Sequence, residues 1–368
     1  MALFDLVFEG GGAKGAAFSG AMDAFTSAGH VPRRIVGTSA GAITATLIGA
    51  GYSAKEMLQA CNETLPGTNN PVFTTFMDPP QPSDFTPDMI ENSQTMELLQ
   101  QVHIPLIGAS LETKLLNELL KLELYREAFS FNECGGFYAG NAFLVWFRGK
   151  LNAKGLNPDI TWKDFAKQTQ SDVSVVTSDV IEQEMVVLNS RTAPDCPVAL
   201  SVRMSMSIPF VWREMIWQDS WGLYRGRAKT GHVFVDGGVL SNFPLALVTE
   251  SGPDIVAIMG NTDPKGAGTL GLLLDEKLPV PGATVSDTRR PRLRSADRVT
   301  RLIDAMTGTS DAAVMRDYPD LICHLPVQGY GTTEFRMSQD RMNLLIAAGR
   351  DAMNKYLNRR AATALSQA

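Results

Sequence analysis

The chain opens with a compact apolar run, Leu3-Phe4-Asp5-Leu6-Val7-Phe8, that stops at Gly10-Gly11-Gly12. Strand-forming residues bounded by glycine predict a short β-strand. From about Ala13 to Ala28 the apolar positions Ala17, Phe18, Ala21, Met22 and Phe25 recur at helical spacing, and Gly29 stands where a left-handed cap closes a helix. Arg33-Arg34-Ile35-Val36 predicts a second strand. It runs into Gly37-Thr38-Ser39-Ala40-Gly41 and then a small-residue helix from Ala42 to Ala50, closed by Gly51. Two strand–loop–helix units in succession predict an α/β fold around a mostly parallel sheet with helices on both faces.

From about Leu65 to Asp88 this rhythm breaks down, with Pro66, Pro71, Pro79, Pro80, Pro82 and Pro87 among Asn, Thr and Phe. Such a stretch predicts a long irregular excursion. Leucines among Glu and Lys then predict an amphipathic helix over Leu111 to Phe129, and a second helix is expected over Asn141 to Ala153. Residues 65–165 thus read as a helical insertion, either a lid over the site or a cap packed permanently on the sheet. Strand texture returns at Val173–Thr177, Glu184–Leu188, Val233–Val235 and Ile255–Met259, all expected to join the parallel sheet. Lys265 to Arg301 looks loop-like, with Arg289, Arg290, Arg292, Arg294, Arg298 and Arg301 clustered. A helix to about Val314 and a terminal helix from Ser338 to about Leu357 complete the expectation.

Composition narrows the classes. Of 368 residues, 44% are apolar and 20% charged, which argues against disorder and coiled coil. Lys+Arg 33 against Asp+Glu 39 gives a net charge of −6, so an overall basic field for nucleic acid is absent. No apolar run approaches the roughly eighteen residues of a membrane span. Met1 to Gly12 carries Asp5 and Glu9 and lacks a basic leader, the wrong layout for a secretory signal. Cys61, Cys134, Cys196 and Cys323 are scattered without a CxxC pair, which fits free thiols in a reducing cytoplasm.

Gly37-Thr38-Ser39-Ala40-Gly41 matches G-x-S-x-G between a strand and a helix, a setting that projects a serine hydroxyl from a sharp turn. Gly10-Gly11-Gly12-Ala13-Lys14-Gly15 sits in the equivalent place after the first strand. It reads as a phosphate cradle, as a tight turn without ligand, or as an oxyanion hole of successive backbone N–H groups. A dinucleotide site requires an acid after the second strand, where this chain has Gly37-Thr38-Ser39, so the oxyanion reading is preferred. A serine nucleophile needs a base. Of His30, His103, His232 and His324 only His324 comes late enough for a Ser…Asp…His order, and its apolar flanks suggest a packed or hydrogen-bonded ring. Asp236, ending an apolar strand before Gly237-Gly238, is the better candidate, expected at the same sheet rim as Ser39.

These motifs, with the block Val202 to Phe210 and the run Asp236-Gly237-Gly238-Val239-Leu240-Ser241-Asn242-Phe243-Pro244, resemble the patatin-like phospholipase family. The resemblance covers about Leu6 to Glu250. It implies a three-layer α/β fold, with residues 1–260 as the acyl hydrolase domain and 261–368 as a loop and helical extension packing on it. It implies Ser39 as nucleophile, Asp236 as base, and an oxyanion hole from Gly10, Gly11, Gly12 and Ala13. Lys14, Gly15, Gly37, Gly41, Gly237 and Gly238 support those motifs, though the family often has Arg where Lys14 stands. The implied activity is cleavage of lipid esters such as phospholipid without cofactor. That scheme requires no metal and the chain offers no dedicated calcium loop, so calcium independence is expected. The cluster Arg289 to Arg301 with the amphipathic insertion suggests contact at a membrane periphery. Alternatives are a general carboxylesterase or acyltransferase with the same dyad and, more remotely, a nucleotide-binding or non-catalytic interaction protein.

Overall fold

A computed structural model describes residues 2–68, 70–101, 109–261, 266–283 and 312–367. The arginine cluster and most of the helix expected before Val314 lie outside the described residues. The strands are β1 (Leu3–Phe8), β2 (Val31–Thr38), β3 (Gly136–Tyr138), β4 (Asp172–Asp179), β5 (Glu184–Leu188), β6 (Phe210–Trp212), β7 (Met215–Ile216), β8 (Val233–Asp236), β9 (Gly268–Pro279) and β10 (Ile322–Gln328). The first helices are α1 (Ala16–Ser27), α2 (Ala40–Gly49) and α3 (Ala54–Cys61). Four helices of the insertion follow: α4 (Pro87–Glu91), α5 (Gln94–Gln101), α6 (Ala109–Leu119) and α7 (Glu123–Cys134). Then come α8 (Asn141–Ala153), α9 (Trp162–Thr169), α10 (Val198–Ser205), α11 (Ala246–Thr249) and α12 (Pro253–Met259). Near the C-terminus are α13 (Ala312–Asp317) and α14 (Gln339–Gln367).

The main sheet has the order β10-β9-β1-β2-β4-β8-β7, with β5 also pairing β4. Pairs from β10 to β4 are parallel; β5, β7 and β8 are added antiparallel. Buried parallel strands read as near-continuous apolar runs, and β1 shows how such a run serves two faces. Leu6 and Phe8 join the larger core beneath α1, α2, α8 and α14, while Val7 points to the smaller core of Val36, Val176, Phe243 and Ile258. The result is the three-layer α/β arrangement, a mostly parallel sheet between helices. Insertion residues Phe85, Ile90, Met96, Leu116, Leu120 and Phe129 form a third cluster of their own. The helix expected over Leu111 to Phe129 is two helices, α6 and α7, broken where Leu122 leaves helical conformation. Among the described residues no helix is long and apolar enough to cross a membrane.

Three expectations need correction. Ile255–Met259 lies in α12, not a strand: Pro253 and Asp254 open a helical turn, and Val256 is exposed while Ile258 and Met259 are buried. Glu184–Leu188 and Val233–Val235 are strands but antiparallel to β4. The supposed loop after Lys265 contains β9, which sits between β1 and β10 in the middle of the parallel region. Its buried half ends near Leu274, and the exposed charged residues Glu276 and Lys277 beyond it mask the apolar signal.

The C-terminal α14 crosses α1 at backbone distance. A β-carbon on Gly349 would stand 2.1 Å from the Ala17 carbonyl oxygen, and one on Gly20 1.9 Å from that of Ile346. Gly349→Val should therefore force the helices apart and cost about 1–3 kcal/mol, the range for overpacking. Urea unfolding measures it; an unchanged midpoint would show that the crossing is not close.

Candidate active site

Ser39 stands at the turn from β2 into α2 with φ 52° and ψ −117°. A residue with a side chain held there stores on the order of 1–3 kcal/mol, so the surroundings must fix it. The Ser39 N–H donates to Ser205 Oγ at 2.8 Å, and the Ser205 hydroxyl donates to the Val176 carbonyl at 2.6 Å. Thr38 Oγ1 donates to the Ser241 carbonyl at 3.1 Å. Gly37 and Gly41 flank the elbow, and Gly15 packs against Ala40. A β-carbon on Gly10 would lie 3.2 Å from Ser39 Cβ and 2.2 Å from Asn242 Oδ1, so the glycine loop reaches the serine only because Gly10 has no side chain.

Asp236 is brought to the same rim by a route the sequence did not suggest. Its strand runs antiparallel to β4 and pairs Asp236 with Thr177, while Val176 pairs with Thr38. β4 thus separates the two strand ends by one register step. The Asp236 N–H donates to the Ser207 carbonyl at 2.9 Å. Its Oδ1 accepts from the Gly238 N–H at 2.8 Å, and Ser178 Oγ donates to the Gly237 carbonyl at 3.3 Å. Oδ2 is buried without a hydrogen bond. Burial pushes the Asp236 pKa up to about 7, with the Ser39 hydroxyl and the Gly238 N–H pulling in the other direction. The Ser39 hydroxyl thus lies near enough to lower the carboxyl's proton affinity, but the two do not form a hydrogen bond of standard length and angle. Such contacts often tighten only when substrate is bound.

The glycine loop is partly committed to the fold. The Gly10 N–H donates to the Asn242 carbonyl at 2.9 Å and the Ala13 N–H to the Thr332 carbonyl at 3.0 Å. Neither amide is free for an oxyanion, which narrows the expected set of Gly10 to Ala13. The N–H groups of Gly11 and Gly12, and of Ala40 at the start of α2, make no backbone hydrogen bond among the described residues. Lys14 is buried, and its ammonium pairs with the exposed Glu276.

Two cavities meet at Ser39 and Ile208, which line both. One is apolar, about 130 Å³, and runs beneath Ile43, Leu47, Phe76, Phe143, Trp212 and Phe335. The other, about 380 Å³, is the more polar of the two and holds Asp236, Asn242, Lys14, Glu276, Asp275 and His324. His324 lies on β10 with its neighbours Cys323 and Leu325 turned inward, so strand alternation places the ring outward, 44% exposed, in this polar space. Its Nδ1 is 2.8 Å from Asp275 Oδ2, and no hydrogen bond joins it to Ser39. Elsewhere the acidic group Asp179, Glu182 and Glu184 has metal-like spacing, but the Lys229 ammonium bonds all three at 2.9, 2.5 and 2.5 Å.

The Patatin-like phospholipase model matches residues 6–249, about two thirds of the chain. The chain belongs to the patatin-like phospholipase family. Membership places it among lipid ester hydrolases. Over 366 residues it is 28% identical to YqhO, an uncharacterized protein of Bacillus subtilis, covering 96% of this chain and 97% of that one. Among solved structures it is similar to VipD from Legionella pneumophila, at 15% identity and a TM-score of 0.48 over 97% of this chain and 67% of that chain. It is also similar to a chain of the heterodimeric ExoU–SpcU complex from the type III secretion system of Pseudomonas aeruginosa. There the identity is 19% and the TM-score 0.39, over 98% of this chain and 52% of that chain.

The family motifs contain further working residues whose roles the sequence did not reveal. Ser205 and Ser207 belong to the block quoted for the resemblance, yet only the fold shows one holding the Ser39 amide and the other the Asp236 amide. Asn242 likewise binds the glycine loop, its Nδ2 donating to the Gly10 carbonyl at 3.3 Å and to the adjacent Glu9 Oε1 at 3.1 Å. The cavity residue Phe335 comes from beyond the family match.

The ionisation of Asp236 has a stability cost. Its pKa is about 7 in the folded chain against an ordinary 3.8, so the folded state binds the proton more tightly. Stability from this group is full below about pH 4 and is lost as pH rises through 7, on the order of 4 kcal/mol in total. Asp236→Asn should thus be more stable than the native chain at pH 8, by up to that amount, with little gain at pH 4. Urea unfolding at both pH values checks this; an equal gain at each would contradict a buried, ionising carboxyl.

Proposed function

We propose that the chain is a calcium-independent lipid acyl hydrolase of phospholipase A or lysophospholipase type, using Ser39 and Asp236 as a dyad. The observation that carries this reading is the meeting of an apolar and a polar cavity at Ser39, with a buried carboxyl beside it. An ester placed there has its acyl chain in the apolar cavity and its alcohol side, with any phosphate headgroup, in the polar one.

Ser39 Oγ attacks the ester carbonyl and its proton passes to Asp236, whose pKa near 7 suits a base at neutral pH. The oxyanion is held by the uncommitted N–H groups of Gly11, Gly12 and Ala40. The α2 N-terminus adds its dipole, directed at the developing charge. As the carbonyl re-forms, the ester C–O bond breaks and Asp236 protonates the leaving alkoxide. Water entering from the polar cavity is then deprotonated by Asp236 and attacks the acyl-enzyme. The second tetrahedral intermediate releases a carboxylic acid and returns the proton to Ser39. A residue in this scheme needs no metal, and the strained backbone of Ser39 keeps its hydroxyl presented throughout.

The test is fatty acid release from phosphatidylcholine vesicles and hydrolysis of a short-chain soluble ester, both with calcium chelated. Ser39→Ala and Asp236→Asn should each lower kcat/KM by roughly 10⁴–10⁶, as loss of a nucleophile or base does in serine hydrolases. The base must be ionised in the free enzyme, so native kcat/KM should rise with pH through about 7 and level off above it. Product transferred to an added alcohol instead of water would favour an acyltransferase. Undiminished activity in Asp236→Asn would overturn the dyad.

A further inference from the structure

We propose that Met57 is the end-stop of the apolar cavity and sets the acyl-chain length the enzyme accepts, an inference that rests on reading this cavity as the acyl site. The cavity follows one face of α2: Ala40, Ile43, Thr44 and Leu47 all line it, the spacing of a single helical stripe. Leu47 lies eight residues beyond Ser39, so at 1.5 Å per residue this face extends about 12 Å from the nucleophile. A saturated chain built from C–C bonds of about 1.5 Å advances about 1.25 Å per methylene in zigzag, so the face matches about ten carbons.

From α3, Met57, 3% exposed, lines the cavity beside Ala60 and Cys61. The same side chain also lines a separate cavity of about 340 Å³, whose other walls include Thr26, Pro32, Arg33, Tyr52 and Gln170. Among the described residues no other contributes to both linings. The Met57 side chain is therefore the partition between the acyl space and an outer space of more than twice its volume. Alanine at this position removes the partition and joins the two, giving a longer chain somewhere to go. Phenylalanine thickens it and shortens the inner space. Methionine, unbranched and adaptable, makes a stop that cuts off gradually rather than at one carbon number.

The experiment measures kcat/KM for p-nitrophenyl esters from butyrate to palmitate, in native, Met57→Ala, Met57→Phe and Ser39→Ala protein. The native optimum is expected near decanoate, with at least a tenfold fall by palmitate. Met57→Ala should raise the palmitate-to-decanoate ratio tenfold or more, and Met57→Phe should move the optimum below octanoate. Ratios within one variant cancel any loss of folded protein, and Met57→Val gives the same direction with a smaller shift should the alanine variant not fold. An unchanged optimum in variants whose activity still depends on Ser39 overturns the role of Met57 alone. Absence of any Ser39-dependent cleavage in the native protein overturns the acyl-site reading itself, and Met57 with it.

Discussion

A carboxyl group withdrawn from water, with one oxygen bonded to a backbone amide and the other unpaired, opposes folding whenever it is ionised. Asp236 is such a group, and the sheet is arranged around keeping it there. Its strand is antiparallel to β4, its amide is tied to Ser207, and the two glycines after it let the chain turn beneath the carboxyl. Among the described residues no cation pairs with it. The cost of burial appears as a proton affinity near neutrality, and in the proposed dyad that affinity would let a carboxyl, ordinarily too weak a base, serve a serine. Stability and reactivity at this position are opposite consequences of one environment.

The remaining contacts bring Ser39, the proposed nucleophile, to that carboxyl and keep the space between them defined. The Ser205 hydroxyl links the Ser39 amide to β4, so the strained turn and the strand neighbouring Asp236 form one hydrogen-bonded unit. Asn242 fastens the glycine loop to the segment that follows Asp236, which couples the oxyanion side of the site to the base side. Spending the Gly10 and Ala13 amides on this framework costs two oxyanion donors, but it fixes the positions of those between them. The two cavities meet with Ser39 and Ile208 at the boundary, where the proposed reaction would divide an ester at its scissile bond.

Much of this was legible in the residues. The β1 and β2 runs, their glycine-rich endings and the helices after them have strong local signals, and each motif lies where its strand ends. Asp236 was preferred to His324 because it ends an apolar strand before Gly237-Gly238 at the rim expected for Ser39, and the family resemblance implied the same residue. What escaped were properties that depend on partners distant in sequence. Strand direction is not written in Val233–Val235, whose run suits a parallel or an antiparallel neighbour equally. β9 was hidden because its second half pairs with β10 alone and carries Asp275, Glu276 and Lys277. Nor can a run of glycines say which of its amides are spent, since the acceptors on Asn242 and Thr332 lie over two hundred residues away.

The most direct test of the central claim is the rate at which a fluorophosphonate labels Ser39 as a function of pH, since that reaction needs the nucleophile and its base but neither acyl fit nor water attack. The account predicts a rate that rises with pH to a plateau, with a midpoint near 7, and labelling that all but disappears in Asp236→Asn. Labelling unaffected by Asp236→Asn and lost instead in His324→Ala would contradict it.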